Sequence, residues 1–230
     1  VSGATSLVYQ VVWMRQLTAV FGATQLATAT VIAAFMSGLA LGAWLGGRWI
    51  DRARNLLGLY GVLEGIIGLY ALAFPFLLEA AGGLYRGFHA AADPSFGVRS
   101  VFNGVLMMLL LLPPTSCMGA TLPALARFVT DRVDDAGHRI GALYAINTLG
   151  AVLGTWVGGF ILLRYLGLSA TIAVAASSNL VLCGVALWLG RRLPPEVAAP
   201  RAAPASAPSE THTLRYRLIA GAFALSGMCA

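Results

Sequence analysis

Two charged residues, Arg15 and Glu64, stand inside long apolar runs of the 230-residue chain. A charge at the centre of a hydrocarbon layer costs about 2.5–3.5 kcal/mol even on the mildest insertion scale, so such residues pair or mark a functional path. At about 1.5 Å per helical residue, Arg15 lies about 9 Å below the outer end of the first apolar run. Glu64 lies about 12 Å above the inner end of the third by the same rise. The depths then differ by about 9 Å, which a long arginine side chain nearly covers. The expectation is an Arg15–Glu64 pair. The alternatives are an Arg15 that snorkels outward and a Glu64 that is protonated or bonded to a neighbouring helix.

Tyr9, Gln10 and Trp13 precede Arg15 on the same run. Gln10 and Trp13 share a helix face by their spacing of three, and Tyr9 is four residues from Trp13. Aromatic rings and an amide around a cavity suit a cationic or polar solute; interhelical packing with one hydrogen bond is the plainer alternative. Pro113 and Pro114 stand together in a later apolar run, followed by Thr115, Ser116 and Thr121. Adjacent prolines remove two backbone donors and predict a break or kink. Carbonyls freed at that depth must meet protein or a water-filled cavity, so this position either lines a solute path or is a structural bend. Asn147, between Tyr144 and Thr148, completes the candidate pathway. An interhelical hydrogen bond there, worth about 0.6–2 kcal/mol, explains it without a ligand.

No other chemistry is legible. His89, His138 and His212 fall outside the apolar runs, and Cys117, Cys183 and Cys229 are far apart. Neither set has a metal or redox spacing, and no nucleophile–base arrangement or glycine-rich nucleotide loop occurs. No cofactor, metal site or catalytic residue is expected in this chain.

The elements that must position these residues follow from composition. The chain is 58% hydrophobic and 10% charged, with a mean hydropathy of +0.79. Soluble domains carry about 25% charged residues, so a water-soluble enzyme is excluded and lipid is the expected solvent. The net charge of +6 comes from 15 arginines and no lysine. Their placement follows membrane topology and excludes a nucleic-acid-binding stripe. A bilayer core needs about 20 apolar residues in helix. Six runs qualify: Val1–Phe21, Gln25–Trp49, Leu56–Leu78, Val101–Leu125, Ile140–Leu163 and Leu168–Leu189. A seventh begins at Leu218, and the chain reads as a piece of a longer one. Eleven arginines follow the second, fourth and sixth runs, against Arg86, Arg99 and Arg164 on the other side. The positive-inside rule then makes the N-terminus cytoplasmic. Residues 191–217, with Pro194, Pro195, Pro200, Pro204 and Pro208, form a linker that cannot bury a core. The domain reading is a six-helix bundle over 1–190, a cytoplasmic linker over 191–217, and the start of a second transmembrane half over 218–230.

The second and fifth runs share an internal match. Residues 38–47 align without gaps on residues 150–159, with Gly38, Leu41, Gly42, Trp44, Gly46 and Gly47 repeated as Gly150, Leu153, Gly154, Trp156, Gly158 and Gly159. The topology runs these helices in opposite directions, which is the signature of inverted three-helix repeats; independent convergence on glycine-rich packing helices is the alternative. Either way, glycines at four-residue spacing let backbones approach closely. The loop Gly47-Arg48-Trp49-Ile50-Asp51-Arg52-Ala53-Arg54 is similar to the gating-loop motif of major facilitators, with Arg54 where that family usually has glycine. Asp51 and Arg52 are the candidate gating pair, and a plain positive-inside loop is the alternative.

Three stretches carry a wider resemblance: Ser2-Gly3 with residues 9–15 (Tyr-Gln-Val-Val-Trp-Met-Arg) and 34–42; Gly119-Ala120-Thr121-Leu122-Pro123; and residues 141–154. Together they resemble the membrane part of the fused major-facilitator/spermidine-synthase proteins. Ser226-Gly227 is similar to Ser2-Gly3, as a second half beginning like the first requires. The resemblance implies an all-α membrane protein, with six transmembrane helices as two inverted three-helix repeats and the start of a seventh. It implies a multi-pass protein of the bacterial inner membrane, with a second transmembrane half and a soluble Rossmann-like, aminopropyltransferase-like domain beyond Ala230. It implies that the membrane region anchors that domain and moves a polyamine or related small solute. A stand-alone secondary transporter and a non-transporting scaffold are the rival readings.

Overall fold

The structure, a computed structural model, describes residues 1–22, 24–50, 53, 55–92, 95–129 and 133–192. Among these, all regular structure is helical: α1 (Ser2–Phe21), α2 (Gln25–Trp49), α3 (Leu56–Ala92), α4 (Phe96–Val129), α5 (Val133–Trp156), a π-helical segment (Val157–Leu162), the short α6 (Leu163–Tyr165) and α7 (Gly167–Arg192). Asp51, Arg52, most of the expected linker and the expected start of a second half lie outside the described residues.

Five helical stretches are long and apolar enough to cross a membrane: Gln25–Trp49, Leu56–Ala90, Phe96–Val129, Gly137–Tyr165 and Gly167–Arg192. They make this an all-helical, multi-pass membrane protein with an apolar surface for lipid. The first run expected from the sequence forms a helix, α1, but is not among the five. Its Thr5, Gln10, Arg15 and Gln16 dilute its apolar content; Thr5 is buried inside the bundle, Gln10 and Gln16 are half-buried, and Arg15 is exposed.

Several boundaries differ from the sequence expectation. α3 runs 14 residues past Leu78, through Pro75 and the glycine pair Gly82-Gly83. α4 begins at Phe96, ahead of the expected Val101. Phe88, in the added part of α3, stacks on Phe102 of α4 with ring centres 4.2 Å apart, a contact that packs the longer α3 against its neighbour. Arg191 and Arg192, expected in the linker, are the last turn of α7.

Turns are set by specific residues. Gly22 (φ 100°) ends α1 and Gly167 (φ 77°) separates α6 from α7, both in the left-handed region that favours glycine. The Thr24 hydroxyl accepts from the Ala27 N–H at 3.1 Å and caps α2. The Asn55 side chain accepts from the Gly58 N–H at 2.7 Å and donates to the Gly190 carbonyl at 3.0 Å, joining the start of α3 to the end of α7.

Four helix packings are the most extensive: α2 lies along α4, α3 along α7 and along α4, and α1 along α5. Gly42 of α2 faces the Ser116 carbonyl, and Gly119 of α4 faces the Leu39 carbonyl, so close that a Cβ at either glycine would collide with backbone. Gly154 of α5 meets the Ala4 backbone in the same way. Lipid supplies no hydrophobic drive between helices, so this backbone contact must come from small residues. The glycine stripes thus perform the packing role their spacing predicts. Trp44 and Trp156, between the glycines, are both more than half exposed. Arg48 lies over the Trp44 ring at 4.0 Å and Arg192 over Trp188 at 4.3 Å, as interfacial anchors at the ends of α2 and α7 do.

Candidate functional site

α1 is the central helix of the bundle and packs on α2, α3, α4, α5 and α7. Its Tyr9, Val12, Trp13 and Leu17 are completely buried. Their spacing of three and four residues makes one continuous face. Tyr9 stacks on Trp13 with ring centres 5.0 Å apart, and Trp13 stacks on Phe74 of α3 at 4.7 Å. Tyr70, one turn before Phe74, lies 6.4 Å from it.

Beside this stack stands Glu64 of α3, with 0% exposure. Its partner is Asn179 of α7, which donates from Nδ2 to Glu64 Oε2 at 2.6 Å. Asn179 Oδ1 in turn accepts from the Tyr9 hydroxyl at 3.2 Å. One amide thus bridges a carboxyl on α3 and a phenol on α1. Gly68 makes the bridge possible: a Cβ there would come within 3.2 Å of Asn179 Cβ and 3.1 Å of the Ala176 carbonyl. Gly68 follows Glu64 by one turn, so the side that brings α7 close also presents the carboxyl to it. The hydroxyls of Tyr60 and Ser2 lie beside the same carboxyl, while Glu64 Oε1 closes no hydrogen bond.

Arg15 and Glu64 do not pair. Arg15 is exposed, and among the described residues Glu64 has no ion-pair partner. The residue of α1 that reaches the Glu64 cluster is Tyr9. Arg15 comes six residues later, about 9 Å along the axis and about 240° around it, which turns it away. Of the other expected pathway residues, Tyr9 and Trp13 join the cluster. Gln10 is half-buried, with its Oε1 enclosed and unpartnered, and Trp13 Nε1 is likewise unpartnered. Asn147 lies apart from the cluster, packed on Gly3 where α5 crosses the start of α1. The candidate gating pair, Asp51 and Arg52, lies outside the described residues.

α4 runs through Pro113 and Pro114 without interruption, so the pair is no helix break. The local reason is a substitute donor. Pro114 lacks the N–H that would bond the Leu110 carbonyl, and the Tyr70 hydroxyl donates to that carbonyl at 2.9 Å. The Thr115 hydroxyl adds a bond to the Leu111 carbonyl at 2.6 Å.

Asn179, Tyr60, Ser2 and Tyr70 are the site residues that sequence reasoning missed. Asn179 carried a usable signal: a lone amide in the middle of an apolar span needs a partner. The Gly61, Gly65 and Gly68 series beside Glu64 pointed to a close helix on that side. Among the described residues, no group of three or more His, Cys, Asp or Glu side chains could hold a metal. No family model, curated protein or solved structure matches the chain.

Proposed function

We propose that this bundle is a transporter-like membrane region in which Glu64, Asn179 and Tyr9 form the solute or coupling site. The observation that carries the reading is a fully buried carboxyl on α3 that is bonded to Asn179 of α7 and through it to Tyr9 of α1, so that one hydrogen-bonded chain joins three helices. Buried acids are rare within membrane helices and by default mark a pathway. A scaffold that only anchored another domain would pack more cheaply with leucine at position 64.

Two further observations support an inverted-repeat arrangement. The helix pairs α1–α5, α2–α4 and α3–α7 map onto themselves when the first three helices are exchanged for α4, α5 and α7. The matched glycine stripes also play equivalent parts: Gly38, Gly42 and Gly46 pack on α4, and Gly154 and Gly158 pack on α1. Inverted repeats of this kind place the substrate site at the membrane midplane between them. The resemblance to fused spermidine-synthase proteins extends the reading. On it, the bundle anchors an aminopropyltransferase-like domain in the bacterial inner membrane, N-terminus inside, and a polyamine is the solute.

The test is uptake of radiolabelled spermidine by proteoliposomes. Glu64→Gln is expected to abolish uptake while the protein still inserts and purifies as the wild type does. Equal uptake by the two proteins would remove Glu64 from the pathway. No uptake by the wild-type protein would favour the scaffold.

A further inference from the structure

The Glu64 cluster contains a buried carboxyl with no side-chain counter-ion among the described residues. Oε2 of the carboxyl is taken up by Asn179, whose amide is itself held on its other side by Tyr9. Oε1 is buried and has no hydrogen-bond partner. The hydroxyls of Tyr60, on the same helix, and Ser2, on α1, lie beside it. The titratable side chains that face the carboxyl are Tyr9 and Tyr60. Cys183 of α7 packs against Gly65, the next residue along. Among the described residues of α1, α4 and α7, no arginine or histidine side chain acts on Glu64.

An enclosed carboxylate needs a positive partner or a proton. Among the described residues no side chain supplies the positive charge. A single carboxylate balances a single charge, and a carboxyl oxygen with two hydroxyls suits a hard cation. A multivalent metal would need more acidic or soft ligands, and the described residues hold no such group.

We propose that Glu64 Oε1, with the hydroxyls of Tyr60 and Ser2, is the binding point of a monovalent cation, either a proton or a sodium ion, which deepens and rests on the transport reading of the same site. Asn179 keeps Oε2 occupied and leaves the lone pairs of Oε1 open.

The whole protein in lipid nanodiscs provides the test. Infrared spectra at neutral pH, with isotope-labelled glutamate carboxyls, separate glutamic acid from glutamate. Binding of radioactive sodium is measured in parallel. A glutamic-acid carbonyl band that disappears in Glu64→Gln assigns the proton. Saturable sodium binding that falls at least tenfold in Glu64→Gln assigns sodium. If Glu64→Gln does not fold, Asn179→Ala takes its place, because loss of the Oε2 hydrogen bond must shift the same band or weaken sodium binding. An ionised Glu64 that binds no sodium overturns the proposal. Ion binding without spermidine uptake would sink the transport reading and leave the ion site standing.

Discussion

α1 and α5 lie side by side, yet their surroundings are opposite. α1 carries Tyr, Gln, Arg and Thr, is not among the helices apolar enough to span by themselves, and buries Tyr9, Val12, Trp13 and Leu17 completely. α5 and its π-helical continuation are strongly apolar, yet Ile146, Leu149, Val152, Leu153 and Phe160 are each more than 60% exposed. In water the apolar helix would be the buried one. In lipid the rule for burial loosens, because hydrocarbon solvates an aliphatic surface as well as a protein core does. Polar groups must instead find partners inside the bundle. In this pair the span-forming helix faces lipid and the more polar helix lies at the centre.

The two tryptophans on these helices offer the sharpest test of that contrast. Trp13 is sandwiched between Tyr9 and Phe74 and fully buried, while Trp156 is 55% exposed and touches Phe160 at 6.3 Å. Truncating a packed tryptophan costs about 3–5 kcal/mol, from a cavity that neighbours cannot refill. Trp13→Ala is thus expected to destabilise the bundle by about 3 kcal/mol or more, measured by reversible unfolding in mixed micelles. Trp156→Ala should stay within about 0.5 kcal/mol, as surface changes do. Equal losses at both positions would mean that α5 packs against protein on its outer side and would break the comparison.

Glycines sharpen it within a single helix. Gly154 is pressed against the Ala4 backbone, whereas nothing lies within 4 Å of a Cβ at Gly159. A leucine at Gly154 must push α1 and α5 apart, an overpacking cost of about 1–3 kcal/mol. The same substitution at Gly159 should be nearly neutral by the same unfolding measurement. A neutral Gly154→Leu would show that the α1–α5 contact is not needed to hold α1 at the centre.

The sequence made the helical class legible because uncharged apolar runs of spanning length admit no other structure in a bilayer. The glycine stripes were legible for a similar reason, since four-residue spacing puts them on one face whatever they meet. The site was legible by half. Glu64, Tyr9 and Trp13 stand out by type alone, and the structure gathers all three. The Arg15–Glu64 pair failed because depth along a helix is set by counting, but direction around it depends on which neighbour is packed where. The six-residue step from Tyr9 to Arg15 turns the arginine outward. Asn179 escaped notice because its partner lies 115 positions earlier in the chain, and only the α3–α7 pairing brings the two together.

The smallest effect concerns the proline pair. Their missing donors predict a break or a kink; α4 is not broken there, and the Tyr70 hydroxyl replaces the N–H absent at Pro114. Tyr70 also belongs to the aromatic series that runs through Phe74 and Trp13 to Tyr9. Tyr70→Phe keeps the ring and removes only the donor. Leaving one carbonyl without a partner should cost about 1 kcal/mol, well below the loss at Trp13. The accompanying change should be local: faster amide hydrogen exchange around Leu110 to Thr115, with exchange at the Glu64 end of α3 unaltered. If Tyr70→Phe instead matched Trp13→Ala in unfolding, the hydroxyl would be a central support of the bundle, and the proline turn would belong with the buried polar centre of α1 instead of with the lipid-facing surface.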